Sequence, residues 1–186
     1  VFKMLGLIIL GILIFLALFV IVIYNRLVVL RNRVENAWAQ IDVQLKRRYD
    51  LIPNLVEVVK GYASHEKEIF DKIALYRAQM MSAKTPGEIA QADQGLTSTL
   101  KTLFAIVENY PDLKANQNFL MLQEELSGIE EKIAYARQFY NDIVMIYNQS
   151  LQVFPNSVIA NIFGFKPKEY FEVENPEERK AVKVSF

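Results

Sequence analysis

Between Met4 and Ile23 the chain runs for twenty residues without a charge or a strongly polar side chain. At about 1.5 Å of rise per residue, a helix of that length reaches roughly 30 Å, the thickness of a bilayer's hydrocarbon core. A cleaved export signal has an apolar core of only about 7–15 residues and ends in small side chains. This run instead leaves through the bulky Ile21-Val22-Ile23-Tyr24-Asn25. A buried helix of a soluble protein rarely lacks polar residues on every face. The run therefore predicts a single transmembrane helix within residues 1–25.

Charge orients the span. Arg26, Arg31 and Arg33, then Lys46, Arg47 and Arg48, follow the run against Glu35 and Asp42, whereas Lys3 precedes it. Cytoplasmic flanks carry the excess of Lys and Arg, which predicts a short external N-terminus and a cytoplasmic domain in an inner (plasma) membrane protein. Tyr24, Arg26, Arg31 and Arg33 are then candidates for the membrane interface, where aromatic and cationic side chains keep a polar tip in water.

Formal net charge is +0 and cysteine is absent. A nucleic-acid binder advertises a basic domain, so none is predicted as a partner. Without thiols there are no disulfides, thiolate metal sites or thiol nucleophiles.

From Val34 the apolar residues recur at steps of three and four, including Trp38, Ile41, Leu45, Ile52, Val56 and Val59. That period is helical. No breaker separates this helix from the membrane run, although Pro53 predicts a kink near Tyr49–Ile52. Lys60-Gly61 reads as a stop and Ser64 as the cap of a second helix, with His65 on its first turn. Thr85-Pro86-Gly87-Glu88 predicts a capping box and a third helix, which Asn109-Tyr110-Pro111-Asp112 ends. A fourth helix carries a heptad seam: Phe119, Leu122, Leu126, Ile129, Ile133, Ala136, Tyr140, Ile143 and Tyr147. Of these seams, Trp38, Ile41, Leu45, Phe119, Leu126, Ile133, Tyr140 and Tyr147 are the candidates for a bundle core or an oligomeric coiled coil.

The predicted fold is all-α: an N-terminal transmembrane helix continuing into an elongated up-and-down four-helix bundle, a short C-terminal helix and an extended tail. Three regions follow, an anchor over 1–25, a cytoplasmic bundle over 26–153 and an aromatic helix and tail over 154–186. The short helix runs from Asn156 or Ser157 to Phe163 and ends at Gly164. Bundle topology returns this segment toward the membrane, and Phe163 and Phe165 join the interface candidates.

Little in the chain points to catalysis. His65 is the single histidine and lacks a second histidine on its helix face. Glycines are isolated and form no phosphate loop. Glu124, Glu125, Glu130 and Glu131 lie off the apolar seam and read as a solvated face, without the histidines of a di-iron bundle. Arg137, Asn141 and Asn148 beside the seam are expected to form a buried polar network. Lys46, Arg47 and Arg48 stand about 30 Å from the bilayer, beyond the Debye length of roughly 8 Å, and are expected to pair with carboxylates of a neighbouring helix or subunit. No catalytic, cofactor-binding or metal residue is predicted.

Tyr24-Asn-Arg-Leu-Val, the stretch from Arg33 through Trp38, Lys46-Arg-Arg-Tyr-Asp-Leu-Ile-Pro-Asn and His65 to Glu66, and the endings Phe154-Pro-Asn-Ser and Phe163-Gly-Phe together resemble the LemA family. That resemblance implies a bacterial single-pass membrane protein with a cytoplasmic helical bundle, and no generally established activity. Family members associated with magnetosome membranes or encoded near membrane peptidases imply organising roles, with a membrane peptidase as a possible kind of partner. The expected function is a non-enzymatic scaffold that self-associates or organises partners at the cytoplasmic membrane face. A membrane-shaping or lipid-surface-binding protein is the alternative, and an enzyme the weakest reading. Helices of unequal length leave apolar stretches without an intrachain partner, which predicts a homo-oligomer.

Overall fold

The computed structural model describes residues 2–172 and is all-α, with 85% helix and no strand among the described residues. Six helices follow in order: α1 (Phe2–Lys60), α2 (Lys67–Ser82), α3 (Pro86–Val107), α4 (Pro111–Lys114), α5 (Gln117–Gln152) and α6 (Asn156–Phe163). The extended tail expected after Glu172 lies outside the described residues.

Helix α1 contains 59 residues and passes through Pro53. Its side chains divide sharply. Every residue from Lys3 to Phe19 is exposed. Beginning at Ile23, burial follows steps of three and four through Leu27, Leu30, Val34, Ala37, Ile41, Leu45, Arg48, Ile52, Leu55 and Val59. One helix thus carries a largely apolar stretch that no described residue buries, then an amphipathic stretch that packs. By length and composition the first is a candidate membrane span.

The described residues form two compact units. One contains residues 2–40 together with Gln138–Lys168, and the other contains Ile41–Arg137 and residues 169–172.

In the second unit, segments of α1, α2, α3 and α5 enclose a core. Ile52, Leu55, Ile73, Leu96, Leu103 and Phe119 are among its most buried members. Helix α2 runs back along α1, since Tyr49 donates to Met81 Sδ at 2.9 Å and Lys60 lies 5.2 Å from the Phe70 ring centroid. Helix α3 reverses again, and the Tyr76 ring rests on its backbone at Gly95. A Cβ there would lie 2.2 Å from Tyr76 Cε1, so close approach requires glycine. Phe104 and Phe119 meet edge to face at 6.1 Å between α3 and α5.

The α1–α2 connection begins after Lys60, but its restart differs from the sequence expectation. Ser64 and His65 belong to the turn, and Glu66 is the residue before α2, without a capping bond from its side chain. Glu66 instead accepts from the Tyr110 hydroxyl at 3.1 Å. Buried Ala63 draws the turn inward, with its N–H donating to Val59 O at 2.8 Å. Thr85 does form the full capping box: its Oγ1 accepts from Glu88 N at 3.2 Å, and Glu88 Oε2 accepts from Thr85 N at 3.3 Å. Lys84 N adds a 2.7 Å bond to the same carboxylate, and these backbone donors hold Glu88 below its ordinary pKa. Asn116 caps α5 by accepting from Phe119 N at 3.0 Å.

In the first unit, α5 runs antiparallel to α1. Trp38 meets Tyr140 at 5.3 Å, and Tyr147 lies close enough to Arg31 and Glu35 to feel both charges. Among seam residues, Phe119, Leu126, Ile129, Ile133, Ala136, Tyr140 and Tyr147 are buried. Near the C-terminal end the stripe shifts: Val144 is fully buried and Ile143 only partly. A 3.6-residue helix drifts against a strict heptad, and here the drift brings position 144 inward.

Candidate membrane-interface site

Where the apolar run of α1 ends, α6 packs against it. Ile23 and Leu27 of α1 cluster with Ile159 and Ala160 of α6, and Val20, Tyr24, Leu151 and Phe165 pack around them. Helix α6 covers Asn156–Phe163 and ends at Gly164, whose φ of 70° is the left-handed conformation that favours glycine. This turn lets Phe165 N donate back to Ala160 O at 2.9 Å and returns the Phe165 ring to α1.

Tyr24 becomes the centre of the cluster. Its ring lies 4.8 Å from that of Phe163 and 5.7 Å from that of Phe165, the latter edge-on. The Arg31 guanidinium sits 5.3 Å from the Phe165 centroid in a cation–π contact. Four interface candidates thus meet: Tyr24, Arg31, Phe163 and Phe165. Arg26 and Arg33 are exposed on α1.

The chain after Phe165 is held by α5. Tyr147 Oη donates to Lys166 O at 3.0 Å. Asn148 makes a paired contact with one residue: its Nδ2 donates to Lys168 O at 2.9 Å and its Oδ1 accepts from Lys168 N at 2.8 Å. Burial raises the Tyr147 hydroxyl's pKa, opposed by Arg31 and assisted by Glu35. Asn148 therefore grips backbone instead of joining the expected network with Arg137, which is exposed.

A separate polar feature lies in the second unit. Arg48 Nη1 donates to Asp93 Oδ1 at 2.8 Å, with the Arg48 side chain only 2% exposed. Arg48 Nε is buried without a hydrogen-bond partner among the described residues. Burial pushes the Asp93 carboxyl up, while Arg48, through its charge and hydrogen bond, and Arg137, through its charge, pull it down. Arg48 is thus the member of the basic cluster that pairs with a neighbouring helix, and it occupies a core position. The signal was a gap: Asp93 falls on the step pattern of Leu96, Leu100 and Leu103, and Arg48 on that of Ile41, Leu45, Ile52 and Leu55. No grouping of three or more His, Asp or Glu suited to a metal occurs among the described residues.

Comparison with known proteins adds the family. The LemA family model matches residues 37–186. Similar proteins include Magnetosome protein MamQ 2 of Paramagnetospirillum magneticum and Magnetosome protein MamQ of Magnetospirillum gryphiswaldense, each 26% identical over 80% of this chain and 64% of the relative. Protein LemA of Metamycoplasma hominis is 28% identical over 73% of this chain and 63% of its own length. The chain spans less than two thirds of the length of these curated relatives. Since the family match covers well over half of its residues, the chain belongs to the LemA family.

Proposed function

We propose that this protein is a non-enzymatic, membrane-anchored helical scaffold that self-associates or organises partner proteins at the cytoplasmic face of the membrane. One observation carries the reading: α5 uses one stripe for the core and keeps large apolar side chains on the outside as well. Met121 and Tyr135 are 63% and 75% exposed in the second unit, and Phe139 and Ile146 are 40% and 45% exposed in the first. Within each pair the spacing is a whole number of heptads, the register in which a further helix packs. Apolar side chains kept outside in this way favour protein contacts.

The bilayer is the first partner, through α1. Another copy of the chain is the second, and another membrane protein, such as a membrane peptidase, is a further partner class. The juxtamembrane arginines support an orientation with the bulk of the chain in the cytoplasm. Mass measurement of the detergent-extracted protein, with crosslinking from Tyr135→Cys and Phe139→Cys, tests the scaffold. Crosslinked neighbours are expected. A monomer that captures no neighbour at either position rejects the reading. A phosphatase fused to the C-terminus that is active outside the cytoplasm rejects the orientation.

The aromatic and arginine cluster beside the span favours membrane shaping as the second reading, in keeping with relatives named as magnetosome proteins. Purified protein that leaves liposome shape unchanged rejects it.

A further inference from the structure

We infer that α6 is a second membrane-inserting element, which lays Phe154, Val158 and Ile162 into the headgroup–acyl boundary of the bilayer that α1 spans. The inference rests on the reading of Met4–Ile23 as the span and deepens it, because the depth of α6 is set by where it packs.

Its contacts fall on the last turns of the apolar run. Ile159 and Ala160 cluster with Ile23 and Leu27, and Val20 and Tyr24 pack against them. Val20 and Ile23 belong to the run itself, whereas Leu27 lies one turn beyond it. A helix held at that level sits at the boundary between hydrocarbon and headgroups, the depth of about 5–10 Å at which interfacial helices bury their apolar face.

The sides of α6 fit that position. At about 100° per residue, Ile159 and Ala160 define the side against α1, and Ser157 and Asn161 share a polar side. Val158 and Ile162 form a third, apolar side and are 48% and 69% exposed. Phe154, just before α6, is 83% exposed, the largest value for an aromatic ring among the described residues. Phe165 is already committed to Tyr24 and Arg31, so the side chains left to meet lipid are those that stay exposed among the described residues, Phe154, Val158 and Ile162. Arg26 and Lys166 are exposed beside this region and supply cations at headgroup level. Continuity with the span makes lipid the occupant of this side.

The chain lacks cysteine, so single cysteines report position without further changes. The full chain, reconstituted in vesicles of phosphatidylcholine and phosphatidylglycerol, would carry an environment-sensitive fluorophore at Val158→Cys, Ile162→Cys or Phe154→Cys. Leu13→Cys marks the span and Lys101→Cys, exposed on α3, the aqueous domain. Lipids with nitroxides at the top of the acyl chain are expected to quench the labels at 154, 158 and 162 strongly and the label at 101 hardly at all. Aqueous iodide should do the reverse. Nitroxides deep in the acyl chain should quench the label at 13. If the label at 13 is quenched while those at 154, 158 and 162 respond only to iodide, the proposal is overturned and the span stands. If the label at 13 also escapes lipid quenching, the span fails and the proposal with it. Labels shielded from both quenchers and crosslinked between copies overturn the proposal in favour of a second chain. Phe154 lies outside α6 and keeps the test readable if a cysteine within the helix disturbs packing.

Discussion

Arg48 and Asp93 meet at 2.8 Å inside the helical core of the second unit, each standing where the heptad pattern of its helix calls for an apolar side chain. Two breaks in two seams are thus one interaction. Guanidinium and carboxylate meet only in the register that brings α1 and α3 together at these positions.

Removing one member should be far worse than removing both. Asp93→Ala leaves a buried cation and should cost about 3–5 kcal/mol, whereas Arg48→Met with Asp93→Leu should be neutral or stabilising by about 1–4 kcal/mol. Chemical denaturation in detergent measures both. Equal losses in the single and double variants would remove the pair from any special role.

The two perturbed carboxylates predict pH effects of opposite sign. Glu88 is lowered from an ordinary value of 4.5, so its stabilising contribution is present above that value and disappears as pH falls through its folded-state pKa. Asp93 is raised from 3.8, so its pH-linked contribution is present below that value and disappears as pH rises through its folded-state pKa. Denaturation midpoints followed from acid to neutral pH should lose the acid-side decline in Glu88→Gln and the neutral-side decline in Asp93→Asn. Unchanged profiles would show that neither group titrates differently on unfolding.

Asn148→Ala removes both bonds to the Lys168 backbone. At about 1 kcal/mol net for each bond, the loss should approach about 2 kcal/mol locally and expose the peptide after Lys168 to trypsin. Cleavage at that bond should accelerate while global unfolding changes less. An unchanged cleavage rate would mean that Asn148 does not hold the segment.

Val144→Ala should destabilise by about 2 kcal/mol through the cavity it leaves. Ile143→Ala deletes more carbon but should cost less, because its site is only partly buried. The reverse order would place the strict heptad, not the drifted one, in the core.

Most of the helices were legible because their signals are local. Thr85 and Glu88 stand three apart and cap within one turn, Gly164 ends α6 in the conformation it favours, and seven of the nine expected seam positions of α5 are buried. What the sequence concealed depends on distance along the chain. Asp93 needs Arg48, 45 residues away, and Asn148 needs a backbone 20 residues later. Ser64 looked like a cap, yet buried Ala63 pulls the turn inward and α2 starts only at Lys67. The aromatic cluster needed packing to be seen: Tyr24, Arg31, Phe163 and Phe165 stood out in the sequence, but only the fold brings the Tyr24 ring against those of Phe163 and Phe165 while Val158 and Ile162 stay exposed.

The clasp between Asn148 and Lys168 engages peptide groups alone. It reads a path and ignores the side chain that follows the path. Any residue with an N–H can occupy position 168, and proline alone is barred. The outer surface of this segment is therefore free to be rewritten for a new partner while its course along α5 stays fixed.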